Sequence, residues 1–443
     1  MIKEISNAWI CRVSENKVLP VFGDLILENG VIQEIRRKNF NEYLSGKSSS
    51  KKNQFDAEGR VLTITNVNFH EHIYSRLAKG LPIKGSTDSF QNILKNIWWK
   101  LDTLLDQKMV ESSAVLTSIE SIKNGVAYIF DHHSSQSKPI GSLSVIAETL
   151  MKYKLNAVLA FETTDRNKNS IDSFNENKNN LNNNIDSKIK YLFGLHASFT
   201  VNNETLEKLG KLLSESNTGI HIHLCEDKLD RTLSKSRFGK LPLQRLIKYN
   251  LLNEKSILSH SIHLSPSEYR TIAGYGSAIA LNPDSNLNNS VGINDFKSMA
   301  DDQLLLCGTD GMNANPAKSL KNLFLLMRHS GLSNEFVFNK ISKIYFDQIE
   351  FIRRFFPDYS LLNIGEKANF IIWDYIPPTP INRSNFFGHY IYGIIENHVS
   401  SLIVNGNFLM KNKKLIGIKE SELNKTIYRD GKRLYNKFTK SVS

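Results

Sequence analysis

Seven side chains in five separated stretches could carry out metal-assisted hydrolysis. The first stretch is Asn66-Val67-Asn68-Phe69-His70-Glu71-His72. In an extended strand, residues i and i+2 face the same side, so His70 and His72 could reach one ion. Further on come His196 in Gly194-Leu195-His196-Ala197-Ser198, His223 and Glu226 in His221-Ile222-His223-Leu224-Cys225-Glu226, His260 in Leu258-Ser259-His260-Ser261, and Asp310 in Cys307-Gly308-Thr309-Asp310-Gly311. Each has a plain alternative. A lone His196 or His260 can be a hydrogen-bonded core residue, and Asp310 before a glycine can be a turn residue. The conjunction carries the argument, because a chain does not bury many polar groups without partners. His70, His72, His223 and Asp310 supply three imidazole nitrogens and one carboxylate, a donor set that suits one divalent cation, zinc first, with a position left for water. Such an ion lowers the pKa of its water to about 7, giving a hydroxide nucleophile at neutral pH. Glu226 could reach the substrate without binding metal, and His260 could polarise the water or a developing oxyanion.

These residues need a frame that collects strand ends. Strand patterns at Val61–Val67, Val126–Phe130, Asn156–Phe161, Tyr191–Leu195, Gly219–Leu224, Ser256–Ser259, Ala278–Leu281 and Leu304–Cys307 make eight, most of them separated by helical stretches. That is the α/β pattern of a (β/α)8 TIM barrel, whose active site lies at the C-terminal ends of the strands. Helices are expected over 89–105 and 110–124, the second stopping at Gly125. In the first, Trp98-Trp99 reads as packing rather than as a ligand platform, and His132-His133 reads as rim packing. Short strands with turn signals occupy residues 1–60 and return after 361, with Asn405-Gly406 as a hairpin turn. The expected domains are a small β-sandwich formed by 1–60 and 361–414, a hydrolase barrel at 61–360, and a basic C-terminal helix at 415–443. Residues 45–53 read as a loop, and the Asn-rich segment 167–187 as an insertion or mobile loop with no packing signal of its own.

Composition narrows the classes. The chain has 443 residues, 40% hydrophobic and 23% charged, ordinary values for a globular protein. No apolar run is long enough to span a bilayer and the first residues lack a signal-peptide pattern, so a cytoplasmic protein without membrane association is expected. Three scattered cysteines form no metal or disulfide framework. The net charge of +12 invites nucleic acid, but the lysines are dispersed and no basic motif is interleaved with aromatics, so no nucleic-acid partner is expected. A small-molecule substrate is the expected partner, and homo-oligomer formation is left open.

The motifs resemble those of the amidohydrolase superfamily, in its one-metal deaminase branch. His70-Glu71-His72, His196-Ala197-Ser198-Phe199-Thr200, His221–Glu226, Ser259-His260 and Gly308-Thr309-Asp310-Gly311 occur in that family's order. Within the branch, Leu94–Asp102, Asp131–Ser134, Phe161–Asn167 and Ser285–Asn289 are most similar to SsnA-type aminohydrolases. The resemblance implies a (β/α)8 barrel with a composite β-sandwich and metal ligation by His70, His72, His223 and Asp310. It also implies proton uptake from water by Asp310, proton delivery to the leaving nitrogen by Glu226, assistance from His260, and substrate contact at His196. His196, where the two-metal branch has a carboxylated lysine, implies a single metal. The implied activity is zinc-dependent hydrolysis of a carbon–nitrogen bond other than a peptide bond, in a cyclic amidine or aminated heterocycle. The alternative is a catalytically idle scaffold of the same fold. Two departures stand out. Ile64-Thr65 replaces the usual Pro-Gly before the first histidines, and Asn282 replaces a histidine at the seventh strand.

Overall fold

The computed structural model describes residues 2–45, 54–167, 170–181 and 187–441. The expected loop at 45–53 therefore lies, beyond Ser45, outside the described residues. The chain divides into two compact units, one made of 1–67, 119–127 and 333–418, the other of 68–118, 128–332 and 419–443.

The first unit carries a mixed nine-stranded sheet to which both ends of the chain contribute. The order runs from Lys414–Leu415 through Asn407–Lys411, Val399–Val404, Phe370–Trp373 and Val61–Thr63 to Glu4–Ser14, Lys17–Glu28 and Val31–Arg37, with Gln54–Asp56 also paired to Glu4–Ser14. The hairpin turn expected at Asn405-Gly406 occurs, and a second forms at Asn29-Gly30. Asn29 and Gly30 have φ of 51° and 80°, Asn405 and Gly406 48° and 69°, the left-handed pair that a two-residue hairpin needs.

Eight parallel strand positions follow, all in the second unit but for the first two residues of β1 and of β2: β1 (Asn66–Glu71), β2 (Val126–His133), β3 (Asn156–Phe161), β4 (Phe193–Ala197), β5 (Ile220–Leu224), β6 (Ile257–His260), β7 (Ala278–Leu281) and β8 (Leu304–Cys307). They are paired as a four-stranded and a five-stranded sheet, the short strand Ile189–Tyr191 preceding β4 at the edge of the first. The seams are bridged at Thr163–Leu195 and at Glu71–Asp310. At the second seam the amides of Thr309 and Asp310 both donate to the His70 carbonyl (2.9 Å each). β4 to β8 are buried along their whole length, as strands covered on both faces must be.

Three expectations are corrected. The run Val61–Val67 is not one strand: Val61–Thr63 joins the nine-stranded sheet, and β1 starts at Asn66. Ile64-Thr65 is the link between them, so its departure from Pro-Gly sits outside both ladders. The Asn-rich segment is not a packing-free insertion. It holds the helix Ser170–Leu181, whose buried Asn177 donates to the Phe161 carbonyl (2.7 Å) and accepts from the Phe161 amide (2.9 Å). Polar side chains here do the work that apolar periodicity does elsewhere, so the pattern was invisible to a hydrophobicity reading. The helix expected at 89–105 also differs in form. Phe90–Ile93 runs into a π-helical turn, Leu94–Trp98, before Trp99–Leu101. The C-terminal helix Glu420–Lys440 buries Ile427, Leu434 and Phe438 on one face. No described helix is long and apolar enough to cross a membrane.

Candidate active site

Strand ends bring the expected donors together. His70 lies at the end of β1 and His72 just past it, His223 lies in β5, His260 ends β6, and Asp310 follows β8. Ligand atoms of His70, His72, His223 and Asp310 all lie within 4.8 Å of one another, and all four residues are buried. His72 Nε2 is 2.9 Å from Asp310 Oδ1 and 3.1 Å from His223 Nε2, and His70 Nε2 is 3.8 Å from Asp310 Oδ1. Four ligands at zinc bond lengths would stand roughly 3.3 Å apart in a tetrahedron.

The other ring nitrogens are tied back, which turns these three Nε2 atoms inward. His72 Nδ1 donates to the His132 carbonyl (2.5 Å) and His223 Nδ1 to the His196 carbonyl (2.8 Å). His70 Nδ1 shares a hydrogen bond with His221 Nε2 (2.9 Å). Bonds of this kind set the tautomer and aim of a metal-binding imidazole. His70 Nε2 is buried without any hydrogen-bond partner. A polar atom in that state needs explaining, and a cation among these four donors explains it.

Electrostatics sharpen the picture. Burial and the neighbouring histidines push His70 well below the usual imidazole range, which favours its neutral form. Burial would also lower His72, but the adjacent Asp310 carboxylate outweighs it and lifts the ring to about 9. Burial would raise Asp310, yet His72 and His260 hold it well below the usual carboxylate range. Burial and the Asp310 charge push Glu226 up to about 8, against an Asn289 amide that donates to it (3.1 Å).

Glu226 and His260 face the same centre. His260 Nε2 is 3.6 Å from Glu226 Oε2 and 3.7 Å from Asp310 Oδ2, with no hydrogen-bond partner of its own, while Nδ1 pairs with Asn286 Oδ1 (2.8 Å). The backbone is held in the left-handed region at Cys225 (φ 48°), His260 (66°), Ser261 (51°) and Asp310 (52°). Each such residue costs of order 1–3 kcal/mol, and such strain clusters where side chains must be aimed. The Asp230 carboxylate helps hold one of these turns by accepting from the Glu226 amide (3.1 Å).

A cleft of about 590 Å³ opens over the centre. Its apolar lining includes Tyr74, Phe90, Leu94, Trp98, Phe199 and Met312, and its polar lining Glu162, His196, Ser285 and Asn289. His196 lies on the cleft wall, its Nδ1 paired with Thr200 Oγ1 (2.9 Å). Trp98 packs against the apolar cluster of Phe90, Leu94 and Phe199, and it also lines the cleft. Trp99 stacks under the Arg166 guanidinium (4.8 Å). His132 and His133 are not rim residues but fully buried. Asn282 is fully buried as well, with its amide on the Ala280 carbonyl (3.2 Å).

Sequence reasoning missed Glu162, Asn286 and Asn289, although Phe161–Asn167 and Ser285–Asn289 had been singled out as stretches that carry the resemblance. A single carboxylate or asparagine has no spacing signal, so nothing in the pattern separated these from turn residues. His221 was given no role beyond its place in the stretch His221–Glu226, yet it buttresses His70.

The sequence profile of the amidohydrolase family matches residues 61–409. The 5'-deoxyadenosine deaminase of Methanobrevibacter smithii is 27% identical over 425 residues, covering 91% of this chain and 92% of that protein. A 5-methylthioadenosine/S-adenosylhomocysteine deaminase of Dictyoglomus turgidum is 25% identical over 419 residues, covering 90% and 92%. Among solved structures, a zinc-bound adenosine deaminase of Xanthomonas campestris superposes with a TM-score of 0.77 at 17% identity, covering 98% of both chains. Atrazine chlorohydrolase TrzN of Arthrobacter aurescens with zinc gives 0.78 at 16% identity, covering 97% of this chain and 100% of that one. At these identities the structural matches speak for the fold alone.

Proposed function

We infer, for a chain that belongs to the amidohydrolase family, that the site is a one-zinc deaminase of aminated purine nucleosides of the 5'-deoxyadenosine kind. The reaction class is plain: the protein is a hydrolase acting on carbon–nitrogen bonds other than peptide bonds. The finer reading rests on one observation, the convergence of three Nε2 atoms and the Asp310 carboxylate beside Glu226 and His260. The two deaminase relatives supply the substrate class. The cation, when bound by His70, His72, His223 and Asp310, supplies Lewis acidity and an acidified water.

The side chains divide the proton work. Water gives its oxygen to the amino-bearing carbon and one proton to Asp310, whose carboxylate is available at any ordinary pH. Glu226 holds a proton near neutral pH, because burial and Asp310 favour its neutral form, and passes it to the leaving nitrogen. Ammonia departs, the ring nitrogen beside that carbon takes water's second proton so that a carbonyl replaces the amine, and the proton on Asp310 restores Glu226. His260 stabilises the developing oxyanion through Nε2, with Asn286 fixing the ring from the other side. Phe90, Leu94, Trp98 and Phe199 flank a planar ring and exclude water, and His196 adds a polar contact. A cytoplasmic setting and the kinship to SsnA-type aminohydrolases belong to this proposal. The full donor set speaks against an idle scaffold.

Ammonia release from zinc-loaded protein tests it, with 5'-deoxyadenosine, methylthioadenosine, adenosine, guanidines and hydantoins as substrates. The proposal expects a purine nucleoside to lead and Glu226→Gln to lower kcat by at least about 100-fold with metal retained. Turnover of the hydantoins alone would refute it.

A further inference from the structure

Glu162 stands just past β3, and no step above uses it. Its side chain is 3% exposed and lines the cleft. His72 Nδ1 and His132 Nδ1 each lie 3.5 Å from its Oε1, beyond ordinary hydrogen-bond length. His72 does not depend on it for orientation, because its Nδ1 proton already goes to the His132 carbonyl. The Arg166 guanidinium is committed elsewhere, paired with Asp102 and stacked on Trp99. A buried carboxyl with no hydrogen bond from its own chain among the described residues, open to a cleft, is an acceptor awaiting a donor.

The company it keeps narrows that donor. Glu162, Glu226, Asp230 and Asp310 line the cleft, and among the described residues no lysine or arginine lines it. An anionic group would meet carboxylates there, whereas an N–H or O–H would meet an acceptor. Glu162 also belongs to a second set of close donors with His72, His132 and His223. That set shares His72 and His223 with the first, and the inward nitrogen of an imidazole serves one ion at a time.

We propose that Glu162 is a specificity residue that accepts a hydrogen bond from an N–H or O–H of the substrate outside the amidine being hydrolysed. The proposal rests on the nucleoside reading of this site. A sugar hydroxyl and a base amino group share the required chemistry, so the test carries an arm for each.

Deamination products bind without turnover, which makes them suitable probes. Inosine, 2'-deoxyinosine, 3'-deoxyinosine and guanosine are titrated calorimetrically into zinc-loaded wild type, Glu162→Gln and Glu162→Met. The deoxyinosines each lack one hydroxyl, and guanosine adds one amino group. In the wild type, one of these changes is expected to alter affinity by about 10- to 100-fold. In both variants that difference shrinks to within about threefold, at unchanged zinc content. Which probe shows the effect identifies the donor as sugar or base. Three results would overturn the proposal: no single donor matters in the wild type, the difference persists in the variants, or Glu162→Gln loses zinc and so proves to be a ligand. If the wild type binds none of the nucleosides, the nucleoside reading falls and this inference with it. If it deaminates nucleosides while the differences persist, only the role of Glu162 falls.

Discussion

The residue between the two histidines of the first motif makes a prediction that the ligand set alone would not. Glu71 is fully buried and paired with the equally buried Arg76. Arg76 also donates to the Asn313 carbonyl (2.7 Å), three residues after Asp310, and Asn68 bonds both Glu71 (2.6 Å) and Thr309 (2.8 Å). This network ties the end of β1 to the loop that carries Asp310. Arg76→Met removes the cation and strands the Glu71 carboxylate away from water. Breaking a buried pair from one side costs about 3–5 kcal/mol. The Asn313 carbonyl loses a charged donor as well, worth about 1.5–3 kcal/mol in other settings, although the two terms overlap. We therefore expect at least about 3 kcal/mol, measured by urea unfolding of metal-stripped protein so that ligand linkage does not mask the loss. Glu71→Gln combined with Arg76→Met removes both charges and should recover half or more of it. Zinc affinity of the single variant should also fall about 10- to 100-fold, as for other supports behind metal ligands. A single variant within about 1 kcal/mol of wild type, or a double variant no better than the single, would refute the reasoning.

Other consequences can be checked in simpler experiments. A Cβ on Gly308 would lie 2.5 Å from Asn282 Oδ1 and 2.8 Å from the His70 carbonyl, so Gly308→Ala should part β8 from β1 and weaken zinc binding; normal zinc content and stability would show that the approach is not tight. Asn286→Leu removes the Nδ1 partner of His260 and should lower kcat by about tenfold with KM little changed; an effect on KM alone would assign Asn286 to substrate binding instead. Burial raises the thiol pKa of Cys11, Cys225 and Cys307, so none of them should react with a disulfide reagent at pH 8 until the protein unfolds; stoichiometric labelling of folded protein would contradict their burial.

Much of the architecture was legible because strands buried on both faces are plain apolar runs. β3, β7 and β8 fall on their expected bounds, and the His, Glu and Asp that follow such runs mark the active face. What stayed hidden lacks a periodic signal. The break at Ile64-Thr65 divides one apolar run between two sheets, and only pairing partners reveal it. The helix Ser170–Leu181 packs through Ser173, Glu176, Asn177 and Asn180, residues whose composition reads as unstructured. The π-turn at Leu94–Trp98 shifts the helical register, and Trp98 there lines the cleft. Glu162 and Asn289 act through positions that only the assembled fold creates.

The central claim is that four side chains from β1, β5 and the loop after β8 hold one ion. Elemental analysis and zinc titration of wild type against His70→Ala test it directly. The account predicts one tightly bound divalent ion per wild-type chain and at least a 100-fold weaker affinity in the variant. Full metal content in His70→Ala, or no divalent ion bound by the folded wild type at micromolar zinc, would contradict it.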